Sequence, residues 1–246
     1  MRLALISDIH GNLIALQTVL KAIETLKPDA IWFLGDVVGY GPEPQACVEL
    51  VQQSAAVILA GNHDLAVAGR VDLDDFTETA QAALRWHQRL LPAETLVWLA
   101  GLPSLLVQDG ITLAHGSPRS PVWEYVVDDG SASENADYFD TQLCLIGHSH
   151  GAIAWRLSKG RWWGQASLQR RPSGEALSVA EDRWLLNPGS VGQPRDHDPR
   201  ASFAILDTEA QTWTWHRHAY DIAPVAAAIL AAGMPPKLAH RLFDGA

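Results

Sequence analysis

The first 60 residues alternate short, continuous apolar runs with stretches of helical periodicity, and this alternation constrains the fold more than anything else in the chain. Leu3 to Ser7, Ala30 to Leu34 and Val57 to Ala60 read as strands, whereas Leu13 to about Leu26 and Pro44 to Gln53 read as helices. The order is therefore βαβαβ. Strands that are apolar on both faces need cover on both faces, so any site is expected in the loops past their C-terminal ends. Those loops are polar and contain glycine: Ser7-Asp8-Ile9-His10-Gly11-Asn12, Gly35-Asp36 and Gly61-Asn62-His63-Asp64.

Further along, Asp74 to Leu91 and Ala93 to Ala100 read as packing helices, the second stopping before Pro103. From Leu105 the texture changes to short β-like runs: Ile111 to Ala114, Leu143 to Ile146, Ala152 to Leu157, Arg161 to Leu168, Ala176 to Val179, Arg183 to Leu186, Ser202 to Leu206 and Thr212 to His216. They predict a more antiparallel sheet. Residues 117–141, with Pro118, Pro121, Trp123, Glu124 and Tyr125, are long enough for a lid over a cleft, and serve equally as a surface excursion. The tail over 222–246 is Ala-rich and helical. At 246 residues, one α/β domain with a lid and a helical tail is the expected organisation.

A formal charge of −10 excludes a general nucleic-acid-binding surface, which is built on Lys and Arg. The two cysteines, Cys47 and Cys144, have neither disulfide-framework nor zinc-ribbon spacing, which fits a reducing, cytoplasmic setting. The apolar stretch at the N-terminus is far shorter than the roughly 20 residues of a membrane span and reads as a buried strand. Oligomeric state stays open, a homodimer included.

The chemistry sits at the strand ends. Asp8 and His10 are two residues apart, as are His148 and His150, and a strand's period of two would put each pair on one side. Asp36, Asn62 and His115 follow other apolar runs, so five strand ends offer a polar ligand to one edge. Imidazole mixed with carboxylate suits Mn, Fe, Ni, Co or Zn, not calcium and not structural zinc. Seven such ligands suffice for two ions roughly 3.5–4 Å apart sharing a carboxylate, with Asp36 the best bridge. Singly, each residue has an ordinary explanation: Asp8 as a helix cap, Asn62 as a turn former, His115 as a hydrogen-bonded histidine. Jointly, caps and turns do not predict Asp or His beside Gly at nearly every such loop.

The blocks Asp8-Ile9-His10-Gly11, Gly35-Asp36, Gly61-Asn62-His63-Asp64, His115-Gly116 and Gly147-His148-Ser149-His150 resemble the calcineurin-like metallophosphoesterases, in that family's order, from Met1 to about Asp207. The resemblance implies a four-layer α-β-β-α sandwich of two mixed sheets with a dimetal site at one edge. It further implies one divalent ion on Asp8, His10, Asp36 and His150, and a second on Asp36, Asn62, His115 and His148. His63 would contact the phosphate or protonate the leaving oxygen, help typically worth 10²–10⁴-fold. The segments Val37-Val38-Gly39-Tyr40-Gly41-Pro42 and Asn187 to Asp196 resemble the small bacterial and archaeal phosphodiesterase-like group within the family. In the protein phosphatases and dinucleoside tetraphosphatases the first segment usually reads Gly-Asp-x-x-Asp-Arg-Gly, with the arginine available to substrate; here Tyr40 and Gly41 occupy that stretch. Substrate charge is then left to the metals, His63 and Arg119 or Arg195.

The implied reaction is metal-dependent hydrolysis of a phosphate ester, with a diester as first choice because that arginine is missing. Alternatives are a phosphomonoesterase, a protein serine/threonine phosphatase or a dinucleoside polyphosphate hydrolase, and, from another class, a non-catalytic scaffold with a retained metal site. A scaffold is expected to lose ligands, and this chain keeps them all. Serine hydrolysis is weaker still, since neither Ser117 nor Ser190 lies in a Gly-x-Ser-x-Gly elbow.

Overall fold

The computed structural model describes residues 1–158 and 165–246, so the beginning of the expected Arg161 to Leu168 strand lies outside the described residues. The opening βαβαβ is present as β1 (Arg2–Ile6), α1 (Leu13–Leu26), β2 (Ala30–Phe33), α2 (Pro44–Ser54) and β3 (Val57–Ile58). Asn12, not Asp8, caps α1, its side chain accepting from the Ala15 N–H at 3.1 Å. The three strands pair in parallel, and along β1 the side chains alternate: Leu3 and Leu5 face one core, Ala4 and Ile6 another.

After α3 (Asn62–Val67) come α4 (Glu78–Leu90), α5 (Ala93–Ala100), β4 (Leu105–Gln108), β5 (Ile111–Ala114), α6 (Asp129–Glu134) and β6 (Leu143–Leu145). The helix expected from Asp74 begins only at Glu78, because Phe76 is extended and the Thr77 side chain caps the Ala80 N–H. Then follow β7 (Ala152–Ser158), β8 (Gln165–Gln169), β9 (Ala176–Ser178), β10 (Arg183–Pro188), β11 (Ala201–Asp207) and β12 (Thr212–His218). The tail is two helices, α7 (Ile222–Ala231) and α8 (Pro236–Asp244), separated at Gly233, whose φ is +72°.

Two six-stranded sheets result, ordered β3-β2-β1-β11-β12-β9 and β4-β5-β6-β10-β7-β8. The second half is the more antiparallel, as expected: β4 with β5, β7 with β10 and β8, and β12 with β11 and β9 pair antiparallel, and β5, β6 and β10 run parallel. Its strands divide between the two sheets, β9, β11 and β12 extending the first, with β11 pairing antiparallel with β1. Both sheets are mixed. Leu3, Leu5, Leu145, Leu186, Trp213 and Trp215 fill the core between them; α1 and α2 cover the outer face of the first sheet, and Ala132 of α6 joins the core on the outer face of the second. This is the four-layer sandwich. The C-terminal ends of β1, β2, β3, β5 and β6 open onto one edge, where the polar loops gather.

Candidate functional site

The loop backbones at this edge are unusual. Asp8, His10, Asp36, His148 and His150 all have φ between 50° and 62°, the left-handed region that non-glycine residues seldom occupy. Each such residue costs on the order of 1–3 kcal/mol and persists only where its surroundings over-determine it. Here they do: Asp8 N–H donates to Gly35 O at 3.0 Å, His10 N–H to Asp36 O at 3.0 Å, and Gly192 N–H to Asp8 O at 3.0 Å. β1 has ended at Ile6 and β6 at Leu145, so the pairs Asp8/His10 and His148/His150 converge through left-handed turns, not through the strand pleat that their spacing suggested. Gly61 is needed for the approach itself, because a Cβ there would collide with the Asp36 carboxylate.

All seven expected ligand residues are buried, and six of them, all but Asn62, fall into overlapping groups of ligand atoms. Ligand atoms of Asp8, His10 and His150 lie within 4.8 Å of one another, and so do those of Asp36, His115 and His148, and of His10, Asp36 and His63. Asp36 is central: its Oδ2 is 3.6 Å from His10 Nε2 and 3.3 Å from His115 Nε2. His150 Nε2 stands 3.4 Å from Asp8 Oδ1. Backbone carbonyls fix three rings through Nδ1, His10 to Val38 O at 3.0 Å, His115 to Leu34 O at 2.8 Å and His150 to Gln193 O at 2.5 Å, leaving each Nε2 facing inward. His148 is turned the other way, its Nε2 bonded to Trp123 O at 3.2 Å, so Nδ1 is its free nitrogen. Asp64 braces the loops by accepting from the N–H groups of Asp36 at 2.7 Å, Gly61 at 2.9 Å and Val38 at 3.1 Å.

Burial and the charge on Asp36 dominate the electrostatics of the cluster. Burial pushes the Asp8 carboxyl up to about 7. Burial would raise Asp36 too, but the imidazoles of His115 and His63 outweigh it and hold Asp36 well below the carboxylate range. Burial alone would lower His115; the Asp36 carboxylate reverses this and lifts it to about 9. Burial keeps His10 and His150 neutral and draws His148 down to about 3 and His63 to about 4. Both Asp8 carboxylate oxygens, Asp36 Oδ2, Asn62 Oδ1, His63 Nδ1 and His115 Nε2 are buried with no hydrogen-bond partner. Bare oxygens and nitrogens of these types, converging from opposite sides, match the donor set of mixed-ligand divalent metals.

Around this centre lie residues that sequence reasoning passed over. Tyr40 wedges between His10 and His63, ring centroids 4.7 Å and 4.4 Å away. His87 is buried and holds the loop carrying Tyr40: its Nδ1 accepts from Gly39 N–H at 3.0 Å and its Nε2 donates to Gly41 O at 2.9 Å. Arg195, expected near substrate, reaches Gln193 Oε1 at 2.9 Å and the Tyr40 hydroxyl at 3.5 Å, while its Nε is buried without a partner. Arg119, also expected near substrate, has its guanidinium tied to Glu124 and Glu134, which steadies residues 117–141. From Asn187, a side-chain N–H₂ donates to Gly147 O at 2.7 Å and Ser149 Oγ at 3.0 Å, and Ser190 Oγ donates to Asp8 O at 2.8 Å, so the Asn187 to Asp196 segment shapes the turns beside the site. Leu238 and Leu242 of α8 wall a small cavity behind His10, Tyr40 and Gln193.

Comparison with known proteins agrees with this geometry. The chain is 36% identical over 249 residues to an uncharacterized protein of Methanocaldococcus jannaschii, covering 99% of this chain and 98% of that one. It is 29% identical over 164 residues to a symmetrical bis(5'-nucleosyl)-tetraphosphatase of Methylobacillus flagellatus, spanning 63% of this chain and only 57% of the relative. Among solved structures, a metallophosphoesterase from Sphaerobacter thermophilus superposes with a TM-score of 0.88 at 42% identity over the whole of both chains. A hypothetical protein from Pyrococcus horikoshii OT3 shares the fold at a TM-score of 0.81 and 20% identity, covering 100% of this chain and 98% of its own. Residues 1–211 match the calcineurin-like phosphoesterase superfamily domain. The chain belongs to the calcineurin-like phosphoesterase superfamily and is a hydrolase of phosphate esters.

Proposed function

We propose that this protein hydrolyses phosphodiesters at a dinuclear metal centre. The observation that carries the reading is that Asp8, Asp36 and His115, drawn into overlapping groups with His10, His148 and His150, leave buried atoms without hydrogen-bond partners. Each costs about 1–3 kcal/mol if left bare, a cost that a bound cation removes. Enzymes of this family use divalent metals. Asp8, His10, Asp36 and His150 would hold one ion and Asp36, Asn62, His115 and His148 the other, Mn, Fe, Ni, Co or Zn all suiting the donors. Such a pair, when bound, polarises a phosphoryl group and acidifies a water.

The chain's own groups do the rest. The three carbonyls on Nδ1 and the Trp123 carbonyl on His148 fix which nitrogen each imidazole presents. His63, beside His10 and Asp36, would hydrogen-bond the leaving oxygen and pass it a proton. Arg195, beside Tyr40 and Gln193, would meet a phosphate oxygen. Residues 117–141 act as a lid, since they lay Tyr125 on His148. Neutral Tyr40, standing between His10 and His63, limits the positive charge offered to a dianionic monoester, which favours a diester. The buried, unpaired thiols of Cys47 and Cys144 suit the cytoplasm.

The test is turnover of bis(p-nitrophenyl) phosphate against p-nitrophenyl phosphate after stripping metal and restoring Mn, Ni, Co, Zn or Mg singly. Metal-dependent preference for the diester is expected. Preference for the monoester makes the protein a phosphatase, preference for a dinucleoside tetraphosphate places it with the relatives bearing that name, and no turnover with two ions bound leaves a scaffold.

A further inference from the structure

Aromatic rings continue the wall of the site outward from its histidines. Phe76 meets the His63 ring edge-on, centroids 5.1 Å apart, and Trp123 meets Phe76 at 5.2 Å with planes 61° apart. Tyr125 stacks on His148 at 3.9 Å and 28°. Phe76 and Trp123 are half-buried, Tyr125 is exposed, and neither Trp123 nor Tyr125 packs into any of the hydrophobic cores. Two unrelated parts of the chain supply them: Phe76 precedes α4, and Trp123 and Tyr125 belong to the 117–141 segment.

These rings are held in place by polar groups. Glu124, between the two aromatics, accepts from Ser117 Oγ at 2.5 Å, from Asn135 Nδ2 at 2.9 Å and from Arg119, so the ring faces are fixed before anything binds. Large π-faces at the mouth of a polar site, beside the residue placed to protonate a leaving oxygen, suit a flat group carried on the phosphate.

We propose that Phe76 and Trp123 form a subsite for the planar base of a nucleotide ester whose phosphate lies at the metal centre, an assignment that rests on the phosphodiesterase reading. Phe76 lies beside His63 and Trp123 one ring farther out, so the two rings step away from His63 as a base carried on a sugar steps away from its phosphate.

The experiment is calorimetric titration of the manganese-loaded protein with AMP, the product such a reaction would leave, against ribose 5-phosphate, and with phenyl phosphate against ethyl phosphate. AMP is expected to bind about tenfold more tightly than ribose 5-phosphate, or ~1.4 kcal/mol. Phe76→Ala and Trp123→Ala should each remove most of that ratio, with ribose 5-phosphate reporting whether the phosphate site is intact. Equal affinities in the wild type, no binding of either ligand, or a preference that survives both substitutions overturns the subsite. A phenyl-over-ethyl preference without an AMP preference overturns the nucleotide assignment in favour of aryl esters. Metal-dependent cleavage of bis(p-nitrophenyl) phosphate is scored separately: its absence beside a retained AMP preference removes the reaction and leaves the subsite.

Discussion

His63 and Asp36 share a hydrogen bond, His63 N–H to Asp36 Oδ1 at 2.9 Å, yet their substitutions should separate cleanly. Asp36→Ala removes the carboxylate that both ligand sets share, so metal analysis after gel filtration should show loss of bound ion together with activity. His63→Ala should keep its metal and lose roughly 10²–10⁴-fold in kcat. Equal metal loss in both variants would reverse these roles. His87 offers a pH test away from the ligands. Burial draws it from 6.5 down to about 4, so the unfolded chain binds the extra proton first as pH falls. Its contribution to stability is complete above about pH 6.5 and declines toward pH 4. His87→Gln should be less stable at pH 7 but flatter across that window in urea midpoints; an unchanged slope would assign the acid sensitivity to other groups. The residues of the cluster were legible because Asp, Asn or His beside Gly after an apolar run is hard to explain by caps and turns. Their left-handed backbones were not, since φ is set by distant partners such as Gly192 on Asp8. Nor were Phe76 and His87, whose neighbours in sequence say nothing of the loops they reach.

At the scale of elements, the 117–141 segment hangs on Glu124. Burial would raise this carboxyl, and its contacts with Arg119, Ser117 and Asn135 outweigh that and hold it below the usual range. The clamp is therefore fully present above the unfolded pKa and weakens as pH falls through the depressed folded value. Glu124→Gln should speed amide hydrogen exchange over 117–141 while leaving β5 protected; uniform speeding would mean the segment supports the whole fold. Between the sheets, Leu5→Ala should cost about 2–5 kcal/mol in a denaturant titration, because neighbouring strands cannot collapse into the space. Long elements such as α1 announced themselves by periodicity. The six-residue helices α3 and α6 did not, being held by local side chains instead: Asp64 accepting from Gly61 N–H at 2.9 Å, and Asp128 from Ser131 N–H at 2.7 Å. Strand β4 did leave a signal, the Asp109-Gly110 turn into β5, with φ of 50° and 75°.

For the molecule as a whole, metal and fold are linked. An ion at a hundredfold excess over its Kd should add about 2.7 kcal/mol to stability, reversible by chelator and absent in Asp36→Ala. An equal shift in that variant would place the stabilising ion elsewhere. The sheet order also joins distant parts of the chain: β1 lies between β2 and β11, with Arg2 opposite Asp207 and Leu5 opposite Ala204. The turn bearing Asp8 leans on Ser190, Val191 and Gly192. On a ribosome adding about 5–20 residues per second, the first loop of the site is made roughly 10 s or more before the strand that braces it. The loop bearing Asp8 therefore gains its bracing contacts only after residues 190–192 and β11 have been made.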